Sequence, residues 1–412
     1  MTQKTNNRKF WDAPWGYGES FLIGCSLIII GLVFEALNGH QNPIQLIFPY
    51  NLYILLSYCG ILTVLYHWFS NWIIIRWLTK VPASITSIAL VTLVVMAMGI
   101  IPQVPSENKY IALFGLDHIT TNSAFYLVVL FFQTCLGLIS LKRIYQWKWS
   151  NVGFIINHLG LFIALSAGIL GSGDLKRLTL DLYEGQPSIY AYNAIGAKTE
   201  LPFAVYLKDF QIEEYAPKLA MVDNIKGEVV HNNGKNLFLI EKGIQYSYED
   251  YIVDIIDFLP SSSRVMDGYY FVNEKGSPPS AKIKVTNVKT QEISEGWVCS
   301  GSFKHPFEAL KISDQLSFVM TLPEAKKFSS EVSILNPDGS RLETTLEVNK
   351  PFSYQGYKLY QLSYNEKMGK WSNLSTIELV NDPWLPAVYT GIFLMIAGAI
   401  YMFWIGNNIK NQ

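Results

Sequence analysis

Asn151-Val-Gly-Phe-Ile-Ile-Asn-His-Leu-Gly-Leu-Phe-Ile-Ala-Leu-Ser-Ala-Gly168 decides how this chain is to be read. It carries no Lys, Arg, Asp or Glu, and with its apolar continuation it approaches the roughly 20 residues a helix needs to cross a bilayer. Val152 to Leu170 is therefore taken as a membrane span. Working outward, five more runs have the same character: Phe21 to Leu37, Leu52 to Trp68, Ile85 to Ile101, Ala124 to Ile144, and Leu385 to Ile405. None holds Asp; Lys142 and Arg143 stand only at the very end of Ala124 to Ile144, and Glu35 near an end of the first is the one acid among them.

Composition agrees. Charged residues make up 16% of the 412, against about 25% in an ordinary soluble protein. Aromatics reach 14%, with 11 Trp, as bilayer interfaces favour. A net charge of −1 with no long basic run removes any reason to propose nucleic-acid binding. Cys25, Cys59, Cys135 and Cys299 are far apart, so neither a disulfide framework nor a Cys-x-x-Cys exchanger is expected. No small-residue cleavage site follows the first span, which reads as an uncleaved helix.

Orientation follows from the Lys/Arg bias of the short connections. With the N-terminus in the cytoplasm, the inner segments collect Lys4, Arg8, Lys9, Arg76, Lys80, Lys142, Arg143, Lys148 and Lys410, nine in all, against Lys109 alone outside. This arrangement sends Gly171 to Asp382 outside the cytoplasm. That stretch holds 22 Lys/Arg and 28 Asp/Glu, 50 of the chain's 65 charged residues, and reads as a soluble domain of net charge −6.

The outer domain is expected to be β. Leu201 to Phe210, Lys282 to Thr286, Glu331 to Leu335 and Tyr357 to Leu362 are short β-branched and aromatic runs near period two. Asn336-Pro-Asp-Gly339, between Ile334 and Leu342, is a hairpin signal, because Gly supplies the positive φ of the turn. Two packed antiparallel sheets are expected.

Catalytic motifs are absent from this domain: there is no Gly-x-Ser-x-Gly, no His-Glu-x-x-His, no phosphate loop and no cluster of His with acids. His231 and His305 stand alone and are read as surface or packing residues, and His40 and His118 as exposed residues of short outer loops. His67, at the inner end of the second span, is read as an interfacial residue reaching for headgroups, with a ligand role as the alternative. His158 lies about seven residues, roughly 11 Å, into the fifth span. An ionisable group at that depth is costly and points to function, an interhelical hydrogen bond being the other reading. At about 100° per residue, Gly153, Asn157, Gly160, Ala164, Ala167, Gly168 and Gly171 share one face, a small-residue stripe suited to close helix packing. His158 points roughly 130° from its centre. If the stripe packs inside the chain, the imidazole meets lipid, a cavity or a partner subunit. Haem ligation is chemically open to it.

From about Ile85 onward the chain resembles the ResB/CcsB proteins of System II cytochrome c biogenesis. The resemblance rests on pieces in family order. Met98-Gly-Ile-Ile-Pro-Gln103 comes first, then Asn157-His-Leu-Gly160 leading through Gly171-Ser-Gly and Tyr183-Glu-Gly-Gln186, and then Leu201-Pro-Phe with Lys208-Asp-Phe210. Val348-Asn-Lys-Pro-Phe, Gly356 to Tyr364, and Asp382-Pro with Tyr389 and Gly391 follow. Residues 1–80, with two additional spans, lie outside the simplest family pattern. The resemblance implies a complex with a CcsA/ResC-type membrane subunit that moves haem b outward and attaches it to the Cys-x-x-Cys-His sites of apocytochrome c. It makes His158 the match for a transmembrane haem ligand. The family's tryptophan-rich motif belongs to the partner, and no Trp-Gly-x-x-Trp-x-Trp-Asp stretch occurs here. The chain is accordingly expected to be a subunit without catalytic residues of its own.

The expected architecture is an α-helical membrane protein of about six spans with a large β-rich extracytoplasmic domain inserted before the last. Residues 1–80 form the extension, 81–172 a three-helix core, 173–383 the outer domain, and 384–412 the final helix and cytoplasmic tail. The expected location is the bacterial inner membrane, in contact with its lipid. The rival readings are a membrane-anchored sensor or scaffold, and a transporter of another solute, which uncharged spans disfavour.

Overall fold

The computed structural model describes residues 11–39, 46–230, 237–248 and 250–410, with side chains as far as Trp404. His40, His231, Lys4, Arg8 and Lys9 lie outside the described residues.

Eight helices are described: α1 (Tyr17–Asn38), α2 (Tyr50–Phe69), α3 (Ile73–Leu78), α4 (Val81–Ile100), α5 (Lys109–Leu113), α6 (Ser123–Tyr145), α7 (Val152–Gly171) and α8 (Leu385–Lys410). Six of them, α1, α2, α4, α6, α7 and α8, are long and apolar enough to cross a membrane. They begin or end within about a turn of the expected spans because hydrocarbon leaves no partner for free backbone groups outside a helix. The chain is a multi-pass membrane protein. The short helices α3 and α5 carry no span signal and were not foreseen.

The chain divides into two units, 1–175 with 382–412, and 176–381. In the first, the opening helices are part of the bundle. Gly31 of α1 sits so close to α6 that a Cβ there would meet the Ala124 Cα at 2.2 Å, and one on Gly24 would meet Leu90 of α4 at 2.3 Å. The buried Glu35 carboxylate accepts from the Ser123 N–H and hydroxyl that open α6, at 3.2 and 3.1 Å. Tyr58 of α2 is hydrogen-bonded to Thr134 of α6 and stacks on Phe162 of α7. Beyond α7, Asp174 accepts from the Phe48 N–H, the Asn51 amide and the Trp384 indole at 2.7–2.8 Å, joining the ends of α2, α7 and α8.

The second unit is a β-sheet region between α7 and α8. Its first and last strands, Lys176–Tyr183 and Leu374–Asn381, pair antiparallel from Lys176↔Asn381 to Tyr183↔Leu374. An insertion that leaves and returns in this way keeps its two ends side by side. The expected strands are found within Lys198–Glu214, Ser280–Asn287, Ala325–Leu335 and Tyr357–Tyr364. The hairpin falls where the turn residues put it, with Ile334 opposite Leu342, the Asn336 N–H bonded to Ser340 O, and Gly339 at φ +84°.

The expectation of two packed sheets is corrected. Among the described residues four sheets, of eight, five, four and two strands, enclose two separate cores. The eight-stranded sheet buries Leu180, Phe203, Val205, Ile334, Leu359 and Ile377, all on its inner face. The five- and four-stranded sheets share Met221, Tyr248, Ile255, Ile283 and Phe318. Period-two alternation tells which residues face inward but not which sheet a strand joins.

Candidate functional site

The site is assembled on α7, whose two sides differ in kind. The glycine side is closed by α8: a Cβ on Gly160 would stand 2.5 Å from Gly391 O, and one on Gly398 would stand 2.5 Å from Asn157 N. Small residues allow the backbones to touch. The Asn157 amide spans the seam, donating to Met395 O at 2.9 Å.

The other side faces α4 and α6, and between these three helices is a cavity of about 420 Å³. His158 lies on its wall. The Nδ1 is 3.0 Å from the Phe154 carbonyl oxygen, one helical turn back. A carbonyl can only accept, so Nδ1 carries the proton and Nε2 keeps its lone pair. The Phe154 ring stacks on the imidazole with centroids 3.6 Å apart, and the Arg143 guanidinium lies over the Phe154 ring, 5.1 Å from its centroid. An N–H bonded to a backbone oxygen and a ring held by stacking leave the remaining nitrogen oriented as a ligand-type donor.

Much of the wall is apolar, with Ile88 from α4, Phe132, Leu136 and Ile139 from α6, and Leu161 from α7, and Ser84 and Ser87 of α4 add hydroxyls to it. At one end the lining changes: Lys80, the N-cap of α4, and Lys142 and Arg143, in the last turn of α6, complete the cavity with Gln146. These helix ends fall together because α4 starts, α6 stops and α7 starts at the same end of the bundle. Among the described residues no carboxylate lines the cavity, and none forms an ion pair with Lys80, Lys142 or Arg143.

The other sequence candidates lie elsewhere. His67 is exposed at the end of α2, with its Nδ1 3.4 Å from the Tyr145 hydroxyl, and does not line the cavity. His118 pairs with the adjoining Asp117 at 3.3 Å. His305 lines a separate cleft of about 680 Å³ in the β unit, beside Phe303, Phe307, Met368 and Trp371. Among the described residues no three His, Cys, Asp or Glu side chains gather as a metal cluster would require. Burial raises the Cys299 thiol, the behaviour of a structural rather than an exchanging cysteine. Sequence reasoning missed the basic end of the cavity. Lys80, Lys142 and Arg143 were counted for orientation, and nothing in their spacing says that they meet around one space.

The ResB-like family model fits residues 284–372. The fit begins in the strand Ser280–Asn287 and takes in the Val348 to Phe352 and Gly356 to Tyr364 pieces of the resemblance. It supports assignment of the chain to the ResB/CcsB family. No curated protein matches the chain.

Proposed function

With the ResB-like match as premise, we propose that this chain is a haem-handling subunit of a System II cytochrome c synthase in the bacterial inner membrane. In this reading the N-terminus is cytoplasmic and the β unit periplasmic, as the nine-to-one Lys/Arg bias supports. Haem b is the cargo. It is carried across the membrane with a CcsA/ResC-type subunit and joined to apocytochrome c, and the thioether chemistry belongs to the partner.

One observation carries the reading: a histidine inside a membrane helix, its Nδ1 held by the Phe154 carbonyl, lines a cavity between helices with its Nε2 left without a hydrogen bond among the described residues. Neutral imidazole with one free nitrogen is an axial ligand for haem iron. The residues present fit such a cargo, because the apolar walls suit a macrocycle and a lone imidazole supplies one axial position while leaving the other to a second protein. His158 binds and orients, and the surrounding side chains exclude water.

The test is His158→Ala in the chain co-expressed with its partner. The variant is expected to accumulate at near-normal levels, to lose most of its Soret absorbance, and to support little cytochrome c maturation. Added imidazole restores part of both, because it fits the vacated space. An assembled variant with full haem and normal maturation would remove His158 from haem ligation. If the variant fails to accumulate, His158→Gln is the replacement test, since it keeps a polar side chain without an iron-binding imidazole.

A further inference from the structure

The basic end of the cavity has no role in iron ligation, and among the described residues no carboxylate pairs with it. Lys80 and Lys142 are half-buried, Arg143 is exposed, and the three converge on one mouth from two helices. The bonds they make are weak and leave most donors unused. Lys142 Nζ is 3.4 Å from Thr79 O, and one Arg143 nitrogen is 3.4 Å from the Asn151 amide oxygen. Three cations beside a low-dielectric space repel one another unless an anion joins them. The mouth is thus complementary to a compact dianion attached to an apolar body.

We infer that Lys80, Lys142 and Arg143 bind the two propionate carboxylates of the porphyrin that His158 ligates. The macrocycle is then seated with its carboxylate edge at the Lys/Arg-rich end of the bundle and its hydrocarbon edge among Ile88, Phe132 and Leu161. A planar guanidinium takes a carboxylate with two parallel hydrogen bonds, and the lysines add point charge. His158 is six residues beyond Val152, about 9 Å along the helix at 1.5 Å per residue. Iron and carboxylates are therefore met at two levels of the same cavity. Phe154, in contact with both Arg143 and His158, links those levels. The inference rests on the haem reading above and adds to it an orientation and a selectivity for acidic porphyrins.

The test uses the full chain in nanodiscs of zwitterionic phosphatidylcholine, so that no anionic headgroup competes, and follows binding through the Soret band. Haemin is compared with its dimethyl ester, which has the same iron and ring but no carboxylates, in the wild type and in the Lys80→Gln/Lys142→Gln/Arg143→Gln variant. The variant is expected to weaken haemin binding about tenfold or more, as loss of charge-assisted hydrogen bonds does, and to leave the ester nearly unaffected. Taking the variant-to-wild-type ratio for each ligand cancels their different partitioning into lipid. If the triple variant does not fold, the wild type decides alone: raised salt should weaken haemin and not the ester. Equal behaviour of the two ligands, with spectra that still depend on His158, overturns the carboxylate site and leaves the haem reading standing. No His158-dependent spectrum with either porphyrin removes both.

Discussion

The two faces of α7 are built from the same helix and do opposite things. Toward α8, Gly153, Gly160 and Asn157 bring backbone against backbone and leave no space. Toward α4 and α6, one turn contributes a histidine and the helices stand apart around about 420 Å³. Without a hydrophobic drive between helices in lipid, tight van der Waals contact must hold α7 in the bundle, and its glycine seam supplies it. The open face carries little of that load and can be spent on a ligand.

Substitutions on this helix can break the contrast. Gly160→Leu should have the largest effect on stability, about 3 kcal/mol, since its side chain would have to occupy the position of Gly391 and Met395 backbone atoms. Thermal unfolding of the purified protein in detergent measures it, and an unchanged melting temperature would mean that the seam is not what holds α7. Asn157→Leu should cost less, about 0.6 kcal/mol, the usual worth of one interhelical hydrogen bond in a membrane. A loss as large as that of Gly160→Leu would move the weight of the seam from close packing to hydrogen bonding.

The third prediction sets the bundle against the β unit. Glu347 is bonded to Lys327 and Lys350 at 2.8 and 2.6 Å, which hold its carboxyl down from its ordinary 4.5 to about 2. Because folding lowers this pKa, its contribution to stability is complete above about pH 4.5 and drains away as pH falls toward 2. Glu347→Gln should therefore flatten the acid dependence of β-unit unfolding between about pH 5 and pH 2, followed by hydrogen exchange in the full chain. It should leave exchange in the helices unchanged. An acid profile identical to the wild type would dismiss the pair as a contributor.

The smallest expected effect on stability is that of His158→Leu. Its backbone stays helical and its ring touches a cavity, so the melting temperature without haem should stay within what about 0.5 kcal/mol produces. A large drop would make His158 a packing residue and erase the difference between the faces.

The spans and the Asn336–Gly339 hairpin were legible because each depends on neighbours in sequence: a run of apolar residues, or a turn needing positive φ. His158 stood out for the same reason, as a polar side chain amid an apolar run. The basic mouth did not, since Lys80 and Lys142 are 62 positions apart and reach one cavity only through the packing of α4 on α6. The number of β sheets was hidden as well, because strand partners are set by long-range pairing and not by alternation.

The sequence by itself therefore determined that the chain crosses a membrane, where the β-rich region is inserted, and that an imidazole lies within a span. The partner of the glycine stripe, the carbonyl that leaves Nε2 free, and the meeting of three cations beside an apolar cavity were decided only by tertiary structure. Hydropathy adds up along the chain, whereas a cavity depends on helices that approach from distant positions. The Asn157–Met395 bond joins residues 238 apart, and nothing local specifies such a contact.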